Sequence, residues 1–178
     1  MAESSESAKV EINPSLGMKI TLKGISAKFN DVQHISTITL DTWLKTPDDQ
    51  NIILLDSRPE EEFIVSHLPK AVRVDHDTNI DDIIKSLPQL VKTEEKSRIV
   101  CYCSIGYRSS LLAQNLQQYY KNTQTETKPE IYNLEGSLFK WANEKRAMVD
   151  NVDQPTIYAH PYNSLWGKLL NKELRKLN

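Results

Sequence analysis

Two rhythms of apolar residues alternate along this 178-residue chain. Short, nearly unbroken apolar runs occur at NIILLDS (51–57), AVRV (71–74), SRIVCYC (97–103) and PEIYNLEG (129–136). They have strand length, and runs without polar interruption suit strands covered on both faces, as in parallel sheets. Between them the apolar residues take helical spacing. NIDDIIKSL (79–87) turns Ile80, Ile83, Ile84 and Leu87 inward, with Pro88 after its end, and SSLLAQNLQQYY (109–120) and the stretch around Leu138–Trp141 read the same way. RPEEEFIVSHL (58–68) opens another helix, with Pro59 at the first helical position and acids in the first turn. Upstream, HISTITLDTWLKT (34–46) reads as a brief strand followed by a helix capped by Thr39, with Leu40, Trp43 and Leu44 on one face. Strands and helices alternating at such short separations predict an α/β fold with an open, mainly parallel sheet.

The two ends are less regular. Residues 1–16 are rich in Ser and Glu and predict a disordered N-terminus. Within 17–33, MKITLKGI (18–25) alternates well enough to predict a short strand or edge hairpin. KNTQTETK (121–128) reads as a surface loop. In the last segment, 147–178, Tyr162, Leu165, Trp166, Leu169, Leu170, Leu174 and Leu177 recur at helical spacing among basic residues. That pattern predicts an amphipathic helix packing on the same core, the alternative being a helix for a partner or a membrane surface.

Composition narrows the function classes. Lys plus Arg (22) nearly cancels Asp plus Glu (24), and a formal charge of −2 offers no general attraction to nucleic acid or anionic membrane. No apolar run is long enough to cross a bilayer, so no transmembrane segment is expected. The opening MAESSESAKVE is acidic rather than a signal peptide, which points to the cytoplasm and leaves organelle import open. Two cysteines, Cys101 and Cys103, exclude a disulfide-stapled scaffold and a four-cysteine zinc site. His34, His76 and His160 show no ligand spacing, so no metal is expected.

The chemistry concentrates in CYCSIGYRSSLLAQNL (101–116). A buried-looking strand ends at Cys103, a loop containing Gly106 follows, and a helix begins near Arg108–Ser110. Ligands of open α/β sheets bind at the carboxyl ends of strands. A helix N-terminus there favours an anion and stabilises a thiolate. Gly106 permits a turn in which successive N–H groups face inward as a nest, and Arg108 adds a fixed charge at the rim. These parts suit a nucleophilic Cys103 that handles a small anionic group. Cys101 lies one pleat deeper on the same face and reads as core packing; a Cys101–Cys103 disulfide would be strained.

Three segments, in order, resemble the rhodanese-like (sulfurtransferase) family. DSRPEEEFIVSHLPKAV (56–72) is similar to its D-x-R-x-x-x-E-[FY]-x-x-G-H-[IL]-x-G-A pattern, CSIGYRS (103–109) matches C-x-x-G-x-R-S, and NLEGSLFKWANE (133–144) is similar to L-x-G-G-x-x-x-W. The resemblance covers about 34–146. It implies a three-layer fold, with a central five-stranded, mainly parallel sheet and helices on both faces. It also implies a Cys103 persulfide that carries sulfur from thiosulfate or a persulfide donor to a thiol, a protein thiol or cyanide, with no other cofactor. Backbone N–H groups of Ser104, Ile105, Gly106, Tyr107 and Arg108 would cradle the outer sulfur, with Arg108 helping to bind an anionic donor. Asp56, Arg58 and Ser109 would support the loop, and His67 would satisfy a turn.

This chain departs from the family pattern at several places. Ser104 stands where many active members have arginine, Ser66 and Lys70 replace glycines, and Glu135 replaces the first glycine of a pair. Ser104 and Glu135 both disfavour an anionic donor such as thiosulfate. Two other readings compete. Phosphatases and arsenate reductases of this architecture use a C-x5-R loop, whereas Cys103 to Arg108 is C-x4-R. A non-catalytic partner-binding module is the remaining alternative.

Overall fold

The computed structural model describes residues 13–46, 51–91, 97–123 and 128–177. At its centre five strands form a wholly parallel sheet: β1 (Gln33–Ile35), β2 (Ile52–Asp56), β3 (Val72–Arg73), β4 (Arg98–Tyr102) and β5 (Glu130–Leu134). Their spatial order is β1-β5-β4-β2-β3. Ile99 of β4 lies beside Ile53 of β2 and Ile131 of β5. This central position explains the unbroken apolar run, because Ile99, Val100, Cys101 and Tyr102 have no exposure at all.

Among the described residues seven α-helices accompany the sheet: α1 (Leu16–Lys28), α2 (Thr37–Lys45), α3 (Glu60–Phe63), α4 (Ile80–Ser86), α5 (Pro88–Val91), α6 (Tyr107–Asn122) and α7 (Ser137–Asn143). Neighbouring residues of β5 show how they divide. Asn133 hydrogen-bonds Ser109 of α6, whereas Tyr132 packs its ring against Trp43 of α2, centroids 5.4 Å apart. Successive side chains on a strand point to opposite faces, so α6 and α2 cover opposite sides of the sheet. The result is the expected three-layer α/β architecture. A two-stranded antiparallel pair, β6 (Met148–Val149) and β7 (Pro155–Thr156), follows. His67 docks on it through two backbone bonds with Val149.

Residues 18–25 are not a strand; they belong to α1. Met18, Leu22, Ile25 and Phe29 turn inward at i, i+4, i+7 and i+11, a helical stripe hidden inside the alternation of MKITLKGI. Ser15 caps the helix by accepting the Met18 N–H at 3.2 Å. Met18, Ile25 and Phe29 are buried and Leu22 partly so; each buried side chain stabilises the fold by roughly 1.5–3 kcal/mol, so the N-terminal segment is part of the main core. The cap of α2 is Ser36, which accepts the Thr39 N–H at 3.0 Å; Thr39 itself lies inside the helix. Pro59 caps a single helical turn rather than opening a long helix. Helix α6 begins at Tyr107 and runs to Asn122, into the stretch read as loop; residues 124–127 lie outside the described residues, as do 1–12 of the segment expected to be disordered.

The tail is not an amphipathic α-helix either. It forms two 3₁₀ turns, Trp166–Leu169 and Lys172–Leu174, separated by extended backbone at Leu170. The Asn163 side chain takes the N–H groups of Leu165 and Trp166, and the Arg175 guanidinium caps the Leu170 carbonyl. Leu170 and Leu174 nevertheless join the main core. The tail crosses the start of α1, where a Cβ on Gly17 would come within 3.2 Å of Leu169. It also ties to α7 through Asn143, whose side chain bonds the Leu169 carbonyl and the Asn171 N–H. No helix among the described residues is long and apolar enough to cross a membrane.

Candidate active site

Cys103 is the first residue beyond β4 and is only 1% exposed. Three residues on, Gly106 adopts φ 111°, ψ −5° as the N-terminal cap of α6. A Cβ there would meet nothing closer than 3.5 Å, so the left-handed backbone, not lack of room, demands glycine. This turn aims the Gly106 N–H at the Cys103 Sγ, 3.1 Å away.

The loop is clamped from the side by the β5–α7 junction. The N–H groups of Leu138 and Phe139 donate to the carbonyls of Cys103 and Ser104, each at 3.0 Å. The Cys103 N–H in turn donates to Ser137 Oγ at 3.1 Å. These bonds occupy the outward-facing backbone groups and hold the loop's curvature.

A polar chain runs from the sulfur into the core. Ser109 Oγ lies 3.5 Å from Sγ and 2.6 Å from Asn133 Oδ1. Asn133 Nδ2 lies 3.0 Å from His34 Nδ1, and His34 Nε2 lies 3.1 Å from the Phe29 carbonyl. The carbonyl can only accept, so His34 carries its proton on Nε2 and accepts from Asn133 at Nδ1. Asn133 Oδ1 then receives the Ser109 hydroxyl proton. That hydroxyl has one proton to give, and the sulfur competes for it once it is charged.

Burial acts to raise the Cys103 pKa, but the Arg108 charge and the hydrogen bonds from Ser109 and Gly106 outweigh it and bring the thiol below its ordinary value. Cys101 moves the opposite way. Burial pushes it up, and negative charge on Cys103 adds to the effect. Both thiols are free. Cys101 within β4 and Cys103 just beyond it thus have contrasting character.

Arg108 is already engaged. Its Nη2 lies 3.0 Å from Glu62 Oε1 and 2.9 Å from Ser104 Oγ, and its guanidinium sits 4.6 Å from the Tyr162 ring centroid. The Ser104 hydroxyl donates to the other Glu62 oxygen in a short hydrogen bond. The Glu62 side chain is 2% exposed, so its charge acts on Arg108 with little solvent screening. Ser104 therefore belongs to a buried Glu62–Ser104–Arg108 cluster. Ile105 is buried, and Tyr107 is exposed with its hydroxyl 2.6 Å from Lys28 Nζ.

Asp56 and Arg58 form a fully buried pair behind the loop. Arg58 Nε and Nη2 bond the Asp56 carboxylate, the shortest contact being 2.6 Å, and Nη2 also donates to the Ser66 carbonyl. Asp56 holds the guanidinium charged against the cost of burial. The hydroxyl of Tyr102, beside this pair, accepts the Leu68 N–H. His67 stacks on Phe63, with Nδ1 3.1 Å from the Phe63 carbonyl. Lys70, where the family pattern has glycine, sits at φ 65°. Glu135 falls at the variable position of L-x-G-G and is not among the residues around Cys103; Ser137, at φ 49°, takes the place of the second glycine. His76 meets Asp75 and Asp77 on an exposed turn outside the site.

Cys103 opens into a cavity of about 520 Å³. One wall is α1, through Ile20, Gly24, Ile25 and Lys28; another is the tail, through Tyr162 and Trp166. Sequence reasoning missed these walls, along with Glu62, Asn133, Ser137 and His34. Glu62 alone carried a local signal, as the acid of the D-x-R-x-x-x-E segment.

The family model for the rhodanese-like domain matches residues 39–144. No curated protein matches the sequence. Among solved structures, the chain is similar to the BH2092 protein from Bacillus halodurans, at 18% identity over 79% of this chain and 88% of that one, with a TM-score of 0.53. It is also similar to thiosulfate sulfurtransferase from Pseudomonas aeruginosa, at 12% identity, 80% and 24% coverage and TM-score 0.55. A third is the As-Sb reductase from Leishmania major, at 16% identity, 63% and 77% coverage and TM-score 0.55. At these identities the likeness is one of fold.

Proposed function

The chain belongs to the rhodanese-like family, and from that premise we propose that it is a sulfurtransferase carrying a sulfane sulfur on Cys103. The observation that carries the reading is a thiol lining a cavity and brought below its ordinary pKa, with the Gly106 N–H 3.1 Å from its sulfur. The Cys103 thiolate attacks the outer sulfur of the donor. A new S–S bond forms, the donor's S–S bond breaks, and the electron pair leaves with the remainder as a thiolate, or as sulfite if the donor is thiosulfate. Preorganised N–H donors hold the resulting persulfide as an oxyanion hole holds its oxygen. An acceptor thiol, on a small molecule or a protein, or cyanide, then removes the outer sulfur. The persulfide itself is the carrier, so the reaction calls for no bound cofactor. A reducing compartment such as the cytoplasm keeps the working sulfur available.

The phosphatase and arsenate reductase reading is disfavoured by the loop, because C-x4-R closes one residue short of the wider cradle a tetrahedral oxyanion needs. The partner-binding reading is disfavoured by a cysteine whose pKa is brought down rather than left to rise with burial. Intact-mass measurement before and after incubation with thiosulfate or an organic persulfide tests the proposal. The wild type gains one sulfur atom and Cys103→Ala gains none. No gain with any donor leaves the binding module as the better reading, and phosphate-ester turnover abolished by Cys103→Ser would replace it with phosphatase chemistry.

A further inference from the structure

Seven of the twelve residues lining the cavity over Cys103 lie outside the matched domain, on α1 and on the tail. These two segments build a chamber that the catalytic-looking loop does not itself require. On α1, Ile20, Gly24 and Lys28 recur at i, i+4 and i+8, so a second stripe of the helix faces the cavity while Met18, Leu22 and Phe29 face the core. Ile20 remains 64% exposed, an apolar side chain offered to whatever enters. Across from it stand Trp166 and the ring of Tyr162.

The electrostatics of this chamber are mild. Of its two basic side chains, Arg108 is compensated by buried Glu62, which leaves a single ammonium, Lys28, hydrogen-bonded to Tyr107 at the rim. A volume of about 520 Å³ falls within the range of roughly 300–1,000 Å³ typical of sites for organic ligands, and far exceeds the needs of a small tetrahedral dianion.

We propose, on the basis of the sulfurtransferase reading above, that the donor is an organic persulfide or thiosulfonate with an apolar, aryl- or alkyl-sized body, and that α1 and the tail select it. The body lies against Ile20, Gly24 and Trp166 with its outer sulfur at Cys103. For a hydropersulfide, the Cys103 thiolate takes the outer sulfur with its proton. The donor's S–S bond breaks, and the organic thiolate leaves with the electron pair past Lys28. Thiosulfate finds no open guanidinium and has no apolar body to set against these walls.

Rates of Cys103 loading by intact mass, on the full chain, test this with three donors: thiosulfate, methanethiosulfonate and benzenethiosulfonate. The last two carry the same charge and release a sulfinate in both cases, so they differ chiefly in the apolar body. Benzenethiosulfonate is expected to load at least tenfold faster than either of the others. In Gly24→Phe the ratio of benzene- to methanethiosulfonate rates should fall about tenfold. A Cβ at Gly24 meets no atom within 4 Å, so the new ring fills the chamber without disturbing the backbone. Ile20→Gln, on the exposed side of α1, should lower the same ratio and covers the case in which Gly24→Phe misfolds. Equal rates, faster loading by thiosulfate, or a ratio unchanged in both variants overturns the apolar-donor proposal while leaving sulfur transfer standing. Loading by none of the three overturns both.

Discussion

Replacing Gly106 by alanine separates two reasons a glycine can stand in an active loop. Added bulk is not the obstacle, since the nearest heavy atoms to a new Cβ are Asn133 Nδ2 at 3.5 Å and Ile25 Cδ1 at 3.7 Å. Conformation is, because φ 111° lies where an L side chain is strained, at a cost of about 1–3 kcal/mol. The variant has two ways to respond. If the loop keeps its shape, the strain appears as lost stability, a fall of roughly 2–4 °C in Tm per kcal/mol for a chain of this size. If the loop relaxes, the Gly106 N–H leaves the sulfur. Hydrogen bonds to charged groups contribute about 1.5–3 kcal/mol, so alkylation of Cys103 near neutral pH slows roughly tenfold or more. The assay pairs thermal unfolding with the pH dependence of iodoacetamide alkylation, localised by peptide mass. Cys101 does not interfere, because its pKa is driven up and its side chain is inaccessible. Wild-type stability together with wild-type alkylation at every pH would refute the reasoning.

Three other outcomes are expected. Asn133→Leu removes the acceptor that holds the Ser109 proton at 2.6 Å, so the hydroxyl turns to Sγ and the alkylation midpoint moves to lower pH. Leaving the His34 Nδ1 acceptor unpaired costs roughly 1–3 kcal/mol of stability in the same variant, and a midpoint shifted upward would contradict this. Because the folded pKa of Cys103 lies below its unfolded value, its ionisation stabilises the native state above the ordinary thiol range and that contribution is lost as pH falls through the folded value. The denaturant midpoint of wild type minus that of Cys103→Ser should therefore rise towards alkaline pH; a flat or falling difference opposes the assignment. Lys70→Gly relieves an exposed residue held at φ 65°. The relief, about 1 kcal/mol, is partly offset by the flexibility of glycine in the unfolded chain, and Tm should rise by about 1–2 °C in thermal unfolding.

Most of the sheet was legible in the sequence because its signals are local. β2, β4 and β5 are continuous apolar runs, and α4, α6 and α7 show a 3.6-residue period within a dozen residues or fewer. The two elements assigned to the wrong type fell at the ends, where the pattern fits more than one element. MKITLKGI satisfies strand alternation and a helical stripe at once, and only the Ser15 cap and the reach of the stripe to Phe29 decide it. In the tail, Leu170 and Leu174 keep helical spacing across two separate 3₁₀ turns. Their burial was readable, and their backbone was not. At the site, Cys103, Gly106 and the start of α6 follow from one another within a few bonds, so the thiol and the N–H aimed at its sulfur could be read directly.

What the sequence determined alone is thus the alternation of strands and helices from β1 to α7, the family, and the loop that sets Cys103 beside a helix N-terminus. Each is encoded in a window short enough for backbone geometry to link its residues. The tertiary structure decided the environment of that sulfur. Arg108 loses its open charge to Glu62, which stands 46 positions earlier. Ser109 answers to Asn133, and Asn133 to His34, 99 positions away. The chamber closes only where α1 meets the tail, whose Leu169 packs against Gly17. Electrostatic compensation and cavity shape depend on distance through space, and no period along a chain records which distant residues the fold will bring within a few ångströms.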